Sequence, residues 1–88
     1  MTQYVVLQGG GPFTANDELD AQILSAHPGY VAILPTAEAF ENPDDLVQLS
    51  VAWAKRLGIT TKLCAVYSRV DAREESFATI IAQAAVVY

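Results

Sequence analysis

A single cysteine, a single histidine and no extended basic run set the outer limits on this sequence. The lone Cys64 excludes an internal disulfide and any cysteine-based zinc cage. Five basic residues stand against ten acidic ones, for a formal charge of −5. Such a surface repels phosphate backbones and anionic lipid, so neither nucleic acid nor membrane is an expected partner. No apolar stretch approaches the ~20 residues of a membrane span. Met1-Thr2-Gln3-Tyr4 carries neither a basic segment nor a cleavable signal pattern. A cytoplasmic protein is expected, with no metal and no cofactor.

What is abundant is apolar side chain. The hydrophobic fraction is 52% against 17% charged, high for a chain of 88 residues. That length has room for one domain, residues 1–88. Either its strands are buried on both faces, or some apolar surface is meant for a partner.

Four short apolar runs stand out: Tyr4-Val5-Val6-Leu7, Tyr30-Val31-Ala32-Ile33-Leu34, Leu63-Cys64-Ala65-Val66-Tyr67 and Ala85-Val86-Val87-Tyr88. They are rich in β-branched and aromatic residues and do not alternate with polar ones, as strands buried on both faces read. Three helical segments separate them. The first runs from Asn16 to Ala26 with Leu19, Ile23 and Ala26 at helical spacing. The second starts at Asn42-Pro43-Asp44-Asp45 and ends at Gly58, with the stripe Leu46, Leu49, Trp53 and Leu57. The third begins at Asp71, with Glu74 as its capping-box partner and Phe77, Ile80, Ile81 and Ala84 on its buried side.

The expected fold is therefore α/β: a four-stranded parallel sheet with three crossover helices, in the flavodoxin-like order 2-1-3-4. That order puts the first helix on one face and the other two on the opposite face. The sheet is left bare over the third and fourth runs, as in an incomplete doubly wound domain.

Gly9-Gly10-Gly11-Pro12-Phe13 follows the first run directly. In this fold ligands bind beyond the carboxyl ends of the strands. Consecutive glycines let the backbone approach a ligand and present N–H groups to an oxyanion. The spacing matches neither the G-x-G-x-x-G dinucleotide fingerprint nor a P-loop. Thr36, Ser68 and Arg69 follow the second and third runs and complete the candidate ligand-binding set. Structural duties compete with each: a turn or cap for Thr36, a cap by Asp71 beside Ser68, a solvated loop cation for Arg69. His27 lies at the amino end of the sheet, opposite the glycine loop, and no serine occupies a G-x-S-x-G elbow. A catalytic serine, histidine and acid set is not legible.

Taken in order, Val5-Val6-Leu7-Gln8-Gly9-Gly10-Gly11, Ala32-Ile33-Leu34-Pro35-Thr36-Ala37, Arg56-Leu57-Gly58, Ser68-Arg69-Val70-Asp71-Ala72 and Ala84-Ala85-Val86-Val87-Tyr88 resemble the dipeptidase E and cyanophycinase family of serine peptidases. Those proteins have the class I glutamine amidotransferase-like fold. The resemblance implies a serine hydrolase acting on peptides with acidic or aspartyl groups. It implies that Gly9, Gly10 and Gly11 line the active site and help form its oxyanion hole. The nucleophilic serine of that family, on an elbow after a later strand, has no counterpart here, nor have its histidine and acid. The chain is then expected to be the N-terminal segment of such a domain, inactive alone. Two alternatives stand beside it: a module holding a small anion or phosphate on the glycine loop, and a self-associating scaffold. The expected partners are a copy of the chain or a missing C-terminal half, with a small anionic or peptide ligand.

Overall fold

The structure is a computed structural model that describes residues 5–7 and 10–88. It is a mixed α/β arrangement: α1 (Asp17–Ala26), β1 (Val31–Ile33), a 3-10 turn (Thr36–Glu38), α2 (Pro43–Leu57), β2 (Thr61–Leu63), α3 (Arg69–Ala72), α4 (Glu75–Gln83) and β3 (Val86–Val87). The three strands form one parallel sheet in the order β2-β1-β3. Val31 lies opposite Thr61 on one side and Val86 on the other.

The 30–34 and 85–88 runs pair in parallel, but the third strand is Thr61–Leu63 and shares only Leu63 with the expected 63–67 run, and the arrangement differs from the expected order. The 31–33 strand is central rather than at an edge, and 86–87 pairs with it directly. Residues 5–7 of the first run form no strand, and Val5 and Leu7 are 88% and 92% exposed. Tyr4 lies outside the described residues. The physical reason is competition for one edge: Tyr88 N–H donates to the Ala32 carbonyl and Ala85 N–H to the Tyr30 carbonyl. The last run thereby fills one flank of β1, and β2 fills the other.

This order also relocates the helices. The chain leaves the central strand for β2 through α2, then returns across β1 to β3 through α4. Right-handed crossovers in opposite directions place α2 and α4 on opposite faces. The second and third helices thus lie on opposite faces in this arrangement, where the expected order puts them on one. It is α1 and α2 that lie together, closing over Val31 and Ile33. Phe13, Val31, Ile33, Trp53 and Ala54 form the buried core, with Leu24, Leu46, Leu57, Ile59, Val86 and Tyr88 packed against it. On the α4 side the Tyr30 hydroxyl donates to the Ile80 carbonyl, and Lys62 Nζ stands 4.2 Å from the Tyr30 ring centre.

Local chemistry accounts for the helix ends. Pro43 occupies the first turn of α2, Asp44 and Asp45 follow it, Lys55 and Arg56 sit in the last turn, and Gly58 closes the helix at φ +66°. Each favours its place through the helix dipole or the left-handed cap. The Asn42 side chain accepts no cap bond; its amide donates to the Asp45 carboxylate at 2.7 Å. The third expected helix is split. The Ser68 hydroxyl, rather than Asp71, caps α3 by accepting the Asp71 N–H. The Asp71 carboxylate accepts the Tyr67 N–H at 3.0 Å. α4 starts afresh at Glu75.

The buried stripes are also rotated from the apolar spacing. In α1, Leu19 and Ala26 are exposed while Asp20 is buried among Ile23 and Leu24. In α2, Leu49 is half-exposed and Ser50 takes its place inside, its hydroxyl donating to the Val47 carbonyl.

Candidate functional site

Of the expected loop, Gly9 lies outside the described residues. Gly10 and Gly11 are exposed and both hold left-handed φ, +69° and +52°. That conformation favours glycine because it has no Cβ to clash with its own carbonyl. The Gly11 carbonyl accepts three bonds, from the N–H groups of Thr14 and Ala15 and from the Thr14 hydroxyl. The loop is thus a tight turn tied to the start of α1.

Its anchor is Phe13, the one non-glycine with positive φ (+64°) among the described residues. For a bulky aromatic this is a strained conformation, of order 1–3 kcal/mol. Burial offsets that cost. Phe13 stacks on Tyr88 at 4.2 Å between ring centres and meets Trp53 edge-on at 5.0 Å. The Arg56 guanidinium donates to the Phe13 carbonyl and grips the Asp17 carboxylate with Nε and Nη2, at 2.8 and 3.0 Å. The end of α2 therefore clamps the loop and the start of α1 together.

Beneath the anchor lies a polar group that sequence reasoning did not single out. Asp20 is 4% exposed, and its Oδ2 accepts the Trp53 indole N–H at 3.1 Å. The available signal was positional. Asp20 precedes Ile23 and Leu24 by three and four residues, which puts it on the inward side of α1. Burial pushes the Tyr88 phenol above its ordinary value; the Phe13 N–H bond opposes this, and the nearby Asp20 charge adds to the rise.

The other expected residues do not converge on the loop. Thr36 is exposed at the start of the 3-10 turn, and its carbonyl accepts the Ala39 N–H. Ser68 is engaged as the α3 cap and Arg69 is exposed at the first position of that helix. Both loops leave the carboxyl ends of parallel strands, as expected. No hydrogen bond or ion pair joins Thr36, Ser68 or Arg69 to Gly10 or Gly11. His27 caps the far end of α1, its N–H donating to the Leu24 carbonyl. Cys64 is fully buried, and burial pushes its thiol up, away from a reactive thiolate. An open depression of about 290 Å³ runs along α1, lined by Ala15, Asn16, Glu18, Leu19 and Gln22. The first turn of α1 carries Asp17, Glu18 and Asp20, so this helix start disfavours anions.

The clamp makes a pH prediction. Its hydrogen bond to Arg56, with a smaller charge contribution, holds the Asp17 carboxyl below its ordinary 3.8. A group with a depressed folded pKa contributes stability above its unfolded pKa and loses it as pH falls through the folded one. Wild type should therefore lose this contribution below pH 3.8, and Arg56→Gln should lack that part of the acid slope. Urea midpoints of both proteins at neutral pH and at about pH 2 measure it. An equal drop in both would remove the pair from the acid response.

Comparison with protein families, with characterised proteins and with solved structures produced no match to this chain.

Proposed function

We propose that this chain is the N-terminal segment of a serine-hydrolase-type α/β domain resembling dipeptidase E and cyanophycinase, and that it is not catalytic alone. Its glycine loop supplies the ligand-facing backbone of a site whose nucleophile lies elsewhere. The observation carrying this reading is the pair of exposed left-handed glycines held in place by the strained, buried Phe13. A loop with only a connecting duty has no need of such an anchor, and stored backbone strain clusters at ligand sites. The acidic start of α1 favours a ligand recognised by backbone groups over a simple phosphate holder. In the complete domain we place the 4–7 run in the sheet in the order 2-1-3-4. That requires β1 and β2 to part and 86–87 to move to the outer side of 61–63. The brevity of the strands and the exposure of Val5 and Leu7 support this. A cytoplasmic setting goes with the same reading.

Titration with an aspartyl dipeptide, followed by amide NMR, tests it. The Gly10, Gly11 and Phe13 amides should shift, with no turnover. Gly10→Val should abolish the shifts. An added Cβ at Gly10 meets nothing within 4 Å, so the cost arises mainly from a β-branched residue at left-handed φ, about 1–3 kcal/mol. No shift in the wild type would sink the proposal. Equally strong shifts with sulfate would move the reading to a small-anion module. Turnover abolished by a serine-directed inhibitor would overturn the non-catalytic part.

A second reading is favoured by one observation. Val5, Leu7, Phe40 and Val70 are 71–99% exposed, and the outer edges of β2 and β3 offer main-chain pairing. Self-association should therefore appear as a dimer or larger species in sedimentation at micromolar concentration. A monomer of 9.5 kDa that binds no hydrophobic dye would exclude it.

A further inference from the structure

The outer edge of β3 pairs with no strand among the described residues. Val5 and Leu7, from an apolar run, stand 88% and 92% exposed. We propose that Val5–Leu7 is a strap that docks as a fourth, parallel strand on that edge, beneath α1 of its own chain.

Crossover handedness gives the position. A right-handed crossover ties the face of its helix to its direction of travel along the sheet. α1 and α2 share a face, joined by the Trp53 bond to Asp20 and the Arg56 bonds to Asp17. The step from the run through α1 to β1 therefore travels the same way as the step from β1 through α2 to β2. β2 lies on one flank of β1, so the run belongs on the other, outside β3. Chain direction gives the orientation. Phe13 stacks on Tyr88 at 4.2 Å, which puts the glycine loop at the carboxyl end of β3. Leu7 precedes Phe13 by six residues, a reach of up to about 20 Å. A run that ends there lies parallel to β3. α1 supplies the cover. Successive residues advance by about 100° around a helix. Asp17 and Asp20 face α2, and Ile23 faces Val86 and Tyr88 across a small cavity. Leu19 and Ala26 lie further round in the same sense, above the space outside β3, and are exposed. The edge is also unguarded: Ala84 to Tyr88 carry no charged side chain, whereas β2 has Lys62 at its centre. The order proposed for the complete domain needs α1 and α2 on opposite faces; docking outside β3 keeps every helix in place. The inference rests on neither the hydrolase nor the self-association reading.

Nuclear Overhauser contacts in the whole chain test it. Backbone contacts from Val5–Leu7 to Val86–Val87 are expected in the pattern of parallel strands, with methyl contacts from the run to Leu19. They should arise within one chain and be absent between labelled and unlabelled copies. Leu19→Glu sets a charge over the docked run and should erase the contacts to Val86–Val87. The Phe13–Tyr88 ring contacts report whether that variant stays folded, and the wild-type contacts decide the matter if it does not. No contact to β3, contacts to Val31 or Leu63 instead, or contacts only between copies would each overturn the proposal. So would their survival in a folded Leu19→Glu protein.

Discussion

Trp53→Ala should leave this chain without a cooperative unfolding transition at room temperature. Trp53 is wholly buried at the centre of the core. Its ring meets Phe13 at 5.0 Å and Tyr88 at 5.4 Å, both edge-on, and its N–H serves the buried Asp20. Truncating a buried tryptophan costs about 3–5 kcal/mol in lost transfer energy and cavity. Losing a donor to a buried carboxylate adds about 1–3 kcal/mol. A domain of this length has roughly 4–13 kcal/mol in total. The sum, about 4–8 kcal/mol, exhausts the lower part of that range, where a domain that buries so small a share of its surface lies. Trp53→Phe separates the two effects: it keeps much of the aromatic volume and loses the donor. It should remain folded with a lowered denaturation midpoint. Far-ultraviolet circular dichroism against urea reads both variants. A Trp53→Ala protein that unfolds cooperatively near the wild-type midpoint would show that α1 and α2 do not depend on this contact.

Gly29→Ala should detach the last strand. Gly29 holds φ +135°, a conformation that side-chain-bearing residues rarely adopt, and an added Cβ would come 2.8 Å from the Ala85 Cβ. Ala85 leads into β3 and donates its N–H to the Tyr30 carbonyl. Backbone strain of about 1–3 kcal/mol and a similar overpacking cost fall on the same junction. Together they amount to about 2–6 kcal/mol. Gly58→Ala is the control. Its φ is +66° and its Cβ would meet nothing within 4 Å, so it should cost only about 1–2 kcal/mol. Native-state hydrogen exchange locates the damage. The Ala85 and Tyr88 amides, which bond to β1, should lose protection well before the Cys64 amide on the β2 side. Uniform loss across the sheet, or a cost equal to that of Gly58→Ala, would refute the assignment of this glycine.

Both variants act on features that the sequence makes legible only in part. The α2 boundaries were legible because each end carries its own chemistry: proline and acids at the start, basic residues and a left-handed glycine at the finish. α1 was legible in extent but not in orientation. Its apolar spacing pointed to Leu19 and Ala26, yet the inward face carries Asp20. An acid turns inward only where a partner such as the Trp53 N–H waits, and that partner is thirty-three residues away in sequence. The third helix was read as one piece, because the Ser68 hydroxyl competes for the backbone only in the geometry that the β2 exit imposes.

The site shows the same division. Gly10 and Gly11 were legible as positions open to close backbone approach, and the structure adds that both hold left-handed φ. Phe13 was not, since no local rule selects an aromatic at positive φ; only the pocket of Trp53 and Tyr88 does. Thr36 opens the 3-10 turn, Ser68 caps α3 and Arg69 begins it, and following a strand end does not make these residues converge.

By itself the sequence determined an α/β chain with parallel strand pairing: the apolar run of β1 needs cover on both faces and is buried throughout, and parallel strands need crossovers. The tertiary structure alone decided which strands became neighbours. Residues 5–7 and 86–87 are similar short β-branched runs, and local propensity does not distinguish between them as partners for the edge of β1. Long-range terms break that tie. They are the Tyr88 bonds to Ala32 and Leu34, the stacking of Tyr88 on Phe13 and the packing of Val86 into the core. These contacts join residues far apart along the chain, and their energies arise only once the core has closed.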